Sequence, residues 1–282
     1  MKKTLILAIF LAITVGGVAQ EPMVPQPYSG KIQIFVELLA NRRKNTTNEM
    51  FMRSYLYFPV IEKSLQRHQI PDYLKYLAMV ESTLNVSAKA KDGRMGLWQI
   101  TPKLAADNGL IVTAEVNDCF DPELASEVAC RRLQELHSYY GDWLLSIAAY
   151  NTSVATVDQA IAKAGGDHDY WAVHDHLPRE AQGFVPAFLA VTYVMSHPDE
   201  FDLKPMCGID VWSDTETITL IDSLSFSRIS SSIGITMEEL CMLNPKYVKK
   251  RIPLSNERCY SLRLPKRFAT QFKQAIHYER HY

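Results

Sequence analysis

The chain has 282 residues, enough for two domains or for one domain with an appendage. Hydrophobic residues make up 47% and charged residues 22%, which excludes disorder, a collagen-like repeat or a small disulfide scaffold as a description of the whole. The 30 Lys and Arg against 31 Asp and Glu leave a net charge of −1, so no global basic field recommends nucleic acid as a partner.

Lys2 and Lys3 precede an apolar run from Leu5 to Val15, and the small residues Gly17 and Ala19 stand just before Gln20. This pattern predicts a secretory signal peptide over residues 1–19, the apolar run being shorter than the about 20 residues a membrane span needs. The expectation is an exported protein, periplasmic or in the cell envelope, with no stable membrane insertion after signal cleavage. Residues 20–50 read as an N-terminal segment in which Asn41 to Asn48, polar and basic, is a solvated loop.

Residues 51–204 carry helix signals throughout. Pro71 and Asp72 open a helix running to Ser82, with proline at its first position and an acid at the positive end of the dipole. Thr101 and Pro102 open the next, closed by Asn108 and Gly109; Asp121 and Pro122 open a third, along which Ala125, Val128, Ala129, Leu133, Leu136 and Tyr140 keep helical spacing. Asp142 caps a run from Trp143 to Tyr150, and Ser153 one from Val154 to Ala164 that Gly165 and Gly166 end. A last helix covers Val185 to Met195. Six helices with short connections describe one compact α domain.

After the Pro205 to Asp214 stretch the texture changes: Glu216 to Leu220 alternates like a strand, and Ser225 caps a helix from Phe226 that Gly234 ends. Thr236 and Glu239 form a capping box for a second helix, and Tyr260 to Leu264 is a second strand. Strand, helix, helix, strand over residues 215–268 is a small separate module. Five cysteines are an odd number; Cys119 with Cys130 and Cys241 with Cys259 are local pairs on sequence distance, and five buried thiols are the alternative. His168, Asp169, His174, Asp175 and His176 have no standard ligand spacing and read as a polar loop, with no metal and no other cofactor expected.

Chemistry concentrates around one helix. Leu74, Leu77, Ala78 and Glu81 stand at i, i+3, i+4 and i+7, so a carboxylate completes an apolar stripe. Periodicity leaves two readings open: a carboxylate turned to water at a helix end, or an acid kept protonated by burial, which is what protonating a glycosidic oxygen requires. The glycine-punctuated run from Gly93 through Arg94, Met95, Gly96, Leu97 and Trp98 to Gln99 lets backbone approach a ligand, and Tyr150 with Asn151 brings two sugar-bonding groups to a helix end. Asp92 is the nearest other carboxylate in sequence, and reads as a turn residue before Gly93 or as a catalytic partner.

Taken in order, these residues resemble lytic transglycosylases of the soluble-lytic-transglycosylase type, most closely the membrane-bound-D-like branch. Ile70 to Ser82 is similar to the catalytic-glutamate motif, Gly96-Leu97-Trp98-Gln99 to the glycine-leucine-x-glutamine motif, and Ala149-Tyr150-Asn151 to the alanine-tyrosine-asparagine motif. Leu177 to Glu180, leading to Val185-Pro186, is similar to the last one. The resemblance implies a mainly α, lysozyme-like catalytic domain in which Glu81 is sole acid and base, with Ser82, Met95, Gly96, Leu97, Gln99, Tyr150 and Asn151 at the substrate. It implies peptidoglycan glycan strands as partner and a 1,6-anhydromuramic product. The chain departs from the pattern at Ala90, where the family usually has serine, and at Phe184, where it usually has tyrosine. The C-terminal module resembles a degenerate LysM domain through Leu240, Leu243, Asn244 and Pro245 and through Leu262 to Pro265; sugar binding and packing against the catalytic domain are both open to it.

Overall fold

The computed structural model describes residues 30–204, 211–220, 222–254 and 259–279, with side chains as far as 275. The predicted leader and Cys207 lie outside these residues, as does most of the stretch joining the two parts. No described helix is long and apolar enough to cross a membrane.

The helical part opens with α1 (Gly30–Glu37), a π-helical turn (Leu38–Arg42) and α2 (Lys44–Arg67). The solvated loop expected over Asn41 to Asn48 is therefore helix. Its charged residues do face water, but Thr47 turns inward and is only 1% exposed, its hydroxyl donating to the carbonyls of Leu39 and Arg43. Packing of α1 against α9 (Phe184–Ser196), a helix buried along nearly its whole length, holds this entry segment in place.

The helix expected from Pro71 to Ser82 is divided: Pro71 precedes a 3-10 turn (Asp72–Lys75), and α3 (Tyr76–Ser82) follows. Thr83 and Leu84 end it in the left-handed region at φ 54° and 55°, a conformation costly for side chains of this shape. Leu84 is fully buried there, and the Thr83 carbonyl accepts from the Arg53 guanidinium.

Side-chain caps set the remaining starts. Thr101 caps α4 (Pro102–Asp107), Asp121 caps α5 (Pro122–Tyr140), Asp142 caps α6 (Trp143–Asn151) and Ser153 caps α7 (Val154–Lys163), each side-chain oxygen accepting an otherwise unpaired amide. The polar loop expected around His168 to His176 contains a short helix, α8 (Tyr170–His174), capped by Asp169. Tyr170, Val173 and His174 are buried, and the His174 ring lies between Asp175 and Lys31 on one side and the Gln182 carbonyl on the other. One apolar core, with Leu74, Leu77, Trp98, Leu133, Ile147 and Phe188 at its centre, unites these helices.

The C-terminal module comprises β1 (Thr215–Leu220), β2 (Leu224–Ser225), α10 (Phe226–Ile233), α11 (Met237–Leu243), β3 (Arg251–Ile252), β4 (Tyr260–Pro265) and α12 (Lys266–Glu279). β1 runs antiparallel to β4, Thr215 opposite Pro265 and Leu220 opposite Tyr260, while β2 pairs with β3. The molecule is thus mainly α-helical with a small α/β module. The helix α12 runs past residue 268, and Phe272 on it fills the module's core with Phe226, Ile229, Leu240, Leu262 and Leu264. Asn244 fastens α11 to β4, its amide donating to the Leu240 and Arg263 carbonyls and accepting from the Arg263 amide.

The two parts share backbone hydrogen bonds. Val116 pairs with Tyr247, the Asn117 amide donates to the Lys246 carbonyl and the Val248 amide to the Glu115 carbonyl, each at 2.9 Å. Lys246 also meets Asp121 at 3.1 Å, and Arg263 forms an ion pair with Glu123. The cores interpenetrate: Val116 belongs to the module's apolar cluster, and Leu243 and Trp212 to the helical one.

Neither expected cysteine pair is joined. Cys119 and Cys130 are separate buried thiols, pushed up to about 11 and about 12 mainly by burial, and pack as small apolar side chains. Cys241 is a half-buried thiol on α11 and Cys259 an exposed one before β4.

Candidate active site

α3 carries Glu81 on its inner face, one residue from its end, and the side chain is 3% exposed. Its Oε1 has no hydrogen-bond partner among the described residues, and its Oε2 lies 3.7 Å from Nη1 of Arg94, outside hydrogen-bond range. Burial pushes the carboxyl up to about 8; the Arg94 charge opposes this rise and the Asp92 charge adds to it.

The segment facing Glu81 folds back on itself through bridges between Lys89 and Met95 and between Met95 and Ile100. Gly96 makes the fold possible. It sits at φ 77° and a Cβ there would lie 1.9 Å from the Cys119 carbonyl oxygen. Gln99 is also left-handed, at φ 46°, its amide donating to the Gly96 carbonyl at 2.9 Å. The segment is tied on both sides: the Ser82 hydroxyl donates to the Leu97 carbonyl at 2.8 Å, and the Tyr150 hydroxyl to the Trp98 carbonyl at 2.9 Å.

A groove of about 780 Å³ runs over Glu81. Gln99, Tyr150 and Asn151 line it with Glu81, and Thr101, Leu104 and Asn108 on and beside α4 form one wall. The rim carries three ion pairs, Arg94 with Asp92, Lys103 with Asp107 and Arg132 with Glu135. Ser82, Met95, Gly96 and Leu97 stand behind this surface: Leu97 is fully buried, and Met95 accepts a hydrogen bond on its sulfur from the Asn117 amide. Ala90 and Phe184 are not among the lining residues. The α4 wall and the Arg132 and Glu135 rim carry no mark in the sequence, because a polar helix face bordering a groove reads like any solvated one.

A buried acid, raised towards neutrality, with one oxygen unpartnered and its side chain in the wall of a groove, has the chemistry that a proton donor to a bound ligand needs. Comparison with known proteins finds that residues 58–172 match the Transglycosylase SLT domain family. Residues 214–278 match the LysM-like domain family of the lytic transglycosylase MltD. Over 239 residues the chain is 25% identical to membrane-bound lytic murein transglycosylase D of Escherichia coli strain K12, covering 83% of this chain and 52% of that protein. It therefore spans about half the length of that relative. Among solved structures, the soluble lytic transglycosylase SLT70 of Escherichia coli aligns over 50% of this chain and 24% of its own, with a TM-score of 0.44 and 24% identity. An inactive mutant of lytic transglycosylase Slt from Pseudomonas aeruginosa aligns over 55% and 25%, with a TM-score of 0.41 and 16% identity.

Proposed function

We propose that this protein is an exported peptidoglycan lytic transglycosylase that cleaves the linkage between N-acetylmuramic acid and N-acetylglucosamine, with Glu81 as its only acid and base. The observation that carries this reading is the state of Glu81: a carboxyl 3% exposed, raised to about 8, with Oε1 unpartnered and the side chain in the wall of the groove. The usual glycosidase that uses water carries a second carboxylate for the opposite face of the sugar. Here the other groove carboxylates, Asp92, Asp107 and Glu135, are exposed at the rim and each is held by a cation.

Protonated below about pH 8, Glu81 gives its proton to the bridging oxygen as the bond from that oxygen to the muramic C1 breaks. The carboxylate then takes the proton of the muramic C6 hydroxyl while that oxygen bonds to C1. The ring closes as a 1,6-anhydro sugar and Glu81 ends as it began. Gln99 and Asn151 at the groove supply hydrogen-bonding groups for N-acetyl and hydroxyl substituents, while the Tyr150 hydroxyl holds the Trp98 carbonyl in the groove wall. The LysM-like domain is read as a peptidoglycan-contacting module that also braces the helical part, with residues 51–204 and 215–268 as the two units.

Glu81→Gln should lower release of soluble muropeptides from purified sacculi by about 10²-fold or more while leaving the melting temperature at or above that of the parent. Activity should fall as pH rises through about 8, because the donating form is lost there. Mass spectrometry distinguishes the outcomes: anhydro ends support this reading, reducing muramic ends mark a lysozyme-type hydrolase, and sacculus binding without release marks a binding protein.

A further inference from the structure

Arg94 is the one cation within 4 Å of Glu81 among the described residues, and it is shared. Its Nε donates to Asp92 at 2.9 Å, while Nη1 stops 3.7 Å short of hydrogen bonding to Glu81. Asp92 is itself fixed, its Oδ1 accepting from the Arg94 backbone amide at 3.2 Å. The turn is closed by the Ala90 amide donating to the Arg94 carbonyl and the Gly93 amide to the Ala90 carbonyl. Gly93 is left-handed at φ 87°, so the chain reverses within this short turn and Asp92 and Arg94 emerge on one side of it. The guanidinium is thus held between one exposed carboxylate and one buried carboxyl, 57% and 3% exposed respectively.

Two states of Glu81 make opposite demands. Before the transfer it must hold a proton, and a full Arg94 salt bridge would drive that proton off. After the transfer it is a carboxylate in a buried position, and with no cation nearby that anion would be costly. The two hydroxyls nearest Glu81 in the sequence motifs are spent on backbone carbonyls, that of Ser82 on Leu97 and that of Tyr150 on Trp98.

We propose that Arg94, restrained by Asp92, is a positioning residue that sets the proton affinity of Glu81, close enough to stabilise the carboxylate by charge and held too far to bond it. The inference rests on the reading of Glu81 as the acid and base. Other charged or titratable groups face the site from elsewhere. Tyr150 on α6 has its hydroxyl committed to Trp98, Arg132 on α5 is paired with Glu135 one turn along the same helix, and Lys103 on α4 is paired with Asp107.

The two halves of the pair act in opposite directions, which gives the test its sign. With Arg94→Gln the opposing charge goes, so the alkaline limb of the kcat profile for sacculus digestion should move up by about one pH unit, with kcat at its plateau reduced about tenfold. With Asp92→Asn the guanidinium is released towards Glu81, so the same limb should move down. Arg94→Lys keeps the charge and should restore the parent limb in part. KM should change less than kcat in all three, since the pair acts on the proton rather than on sugar contacts. Glu81→Gln is run beside them: if it stays active, the reading of Glu81 fails. If it is inactive and the Arg94→Gln and Asp92→Asn limbs coincide with the parent's, or move the same way, the role of Arg94 is overturned. Retained melting temperatures show that each variant is folded.

Discussion

Gly96 is the residue whose side-chain space is taken. A methyl group there would meet the Cys119 carbonyl at 1.9 Å, and backbone cannot yield as the end of a flexible side chain can. The φ of 77° adds strain for any other residue. Gly96→Ala should therefore destabilise the fold by about 3 kcal/mol, the sum of a left-handed penalty and overpacking, readable as a lower denaturant midpoint. It should also lower activity, because the Gly96 carbonyl is the anchor of Gln99. A midpoint equal to the parent's would mean that the Gly96–Cys119 approach is not close. At the same scale the sequence distinguishes unevenly among the site residues. Glu81, Gln99, Tyr150 and Asn151 come together in one groove. Ser82, Met95 and Leu97 share their motifs but lie behind the wall, because adjacent positions in a turn face opposite ways. Arg94 and Asp92 gain meaning only from a distance, 3.7 Å to a residue thirteen positions earlier, which no spacing rule carries.

Among elements, those with local stop and start chemistry are the legible ones. Thr101, Asp121, Asp142 and Ser153 cap their own helices, so α4 to α7 begin where the sequence places them. Residues 41–48 and 170–174 fail the same reading because their packing partners lie far along the chain: α9 against the π-helical turn, and Lys31 and Gln182 around His174. The Gly93 to Ile100 segment belongs to neither kind. It is held between α3 and α6 by Ser82 and Tyr150, each using a hydroxyl on a carbonyl that no helix or strand satisfies. Ser82→Ala and Tyr150→Phe should each cost about 1–2 kcal/mol by leaving one of those carbonyls unpaired. Amide exchange at Met95 and Ile100, which bond to each other at 3.0 and 2.8 Å, should speed up in both variants while α5 is unaffected. Exchange unchanged at these two amides would mean that the segment holds itself without the ties.

For the whole molecule the question is whether two parts melt as one. Val116 lies in the module's core and Leu243 in the helical core, and the joint between them is made partly of backbone hydrogen bonds and a largely buried ion pair, Lys246 with Asp121. Burying a side chain of this size is worth about 1.5–3 kcal/mol, so separation would cost each part several such contacts. Calorimetry of the full chain should show one transition whose van't Hoff and calorimetric enthalpies agree. Lys246→Met, which removes the cation paired with the largely buried Asp121, should lower that transition as a whole rather than split it. Two resolved transitions in the parent protein would indicate units that fold independently. None of this joint is visible in composition or periodicity, since Glu115 to Asn117 and Lys246 to Val248 are short segments whose pairing depends on the folded surfaces around them.

The backbone joint makes the module a fixed ruler instead of a ball on a string. Where two binding units hang on a loose tether, the second capture depends on tether length, falling as the tether grows. Here the separation between the module and Glu81 is set by the bonds of Asn117 with Lys246 and of Val248 with Glu115, whatever the chain does between residues 204 and 211. Inserting ten Gly and Ser residues into that stretch should leave sacculus affinity and the distribution of released glycan lengths as they are in the parent. A distribution that drifts with insert length would show that the stretch, and not the joint, sets the measure.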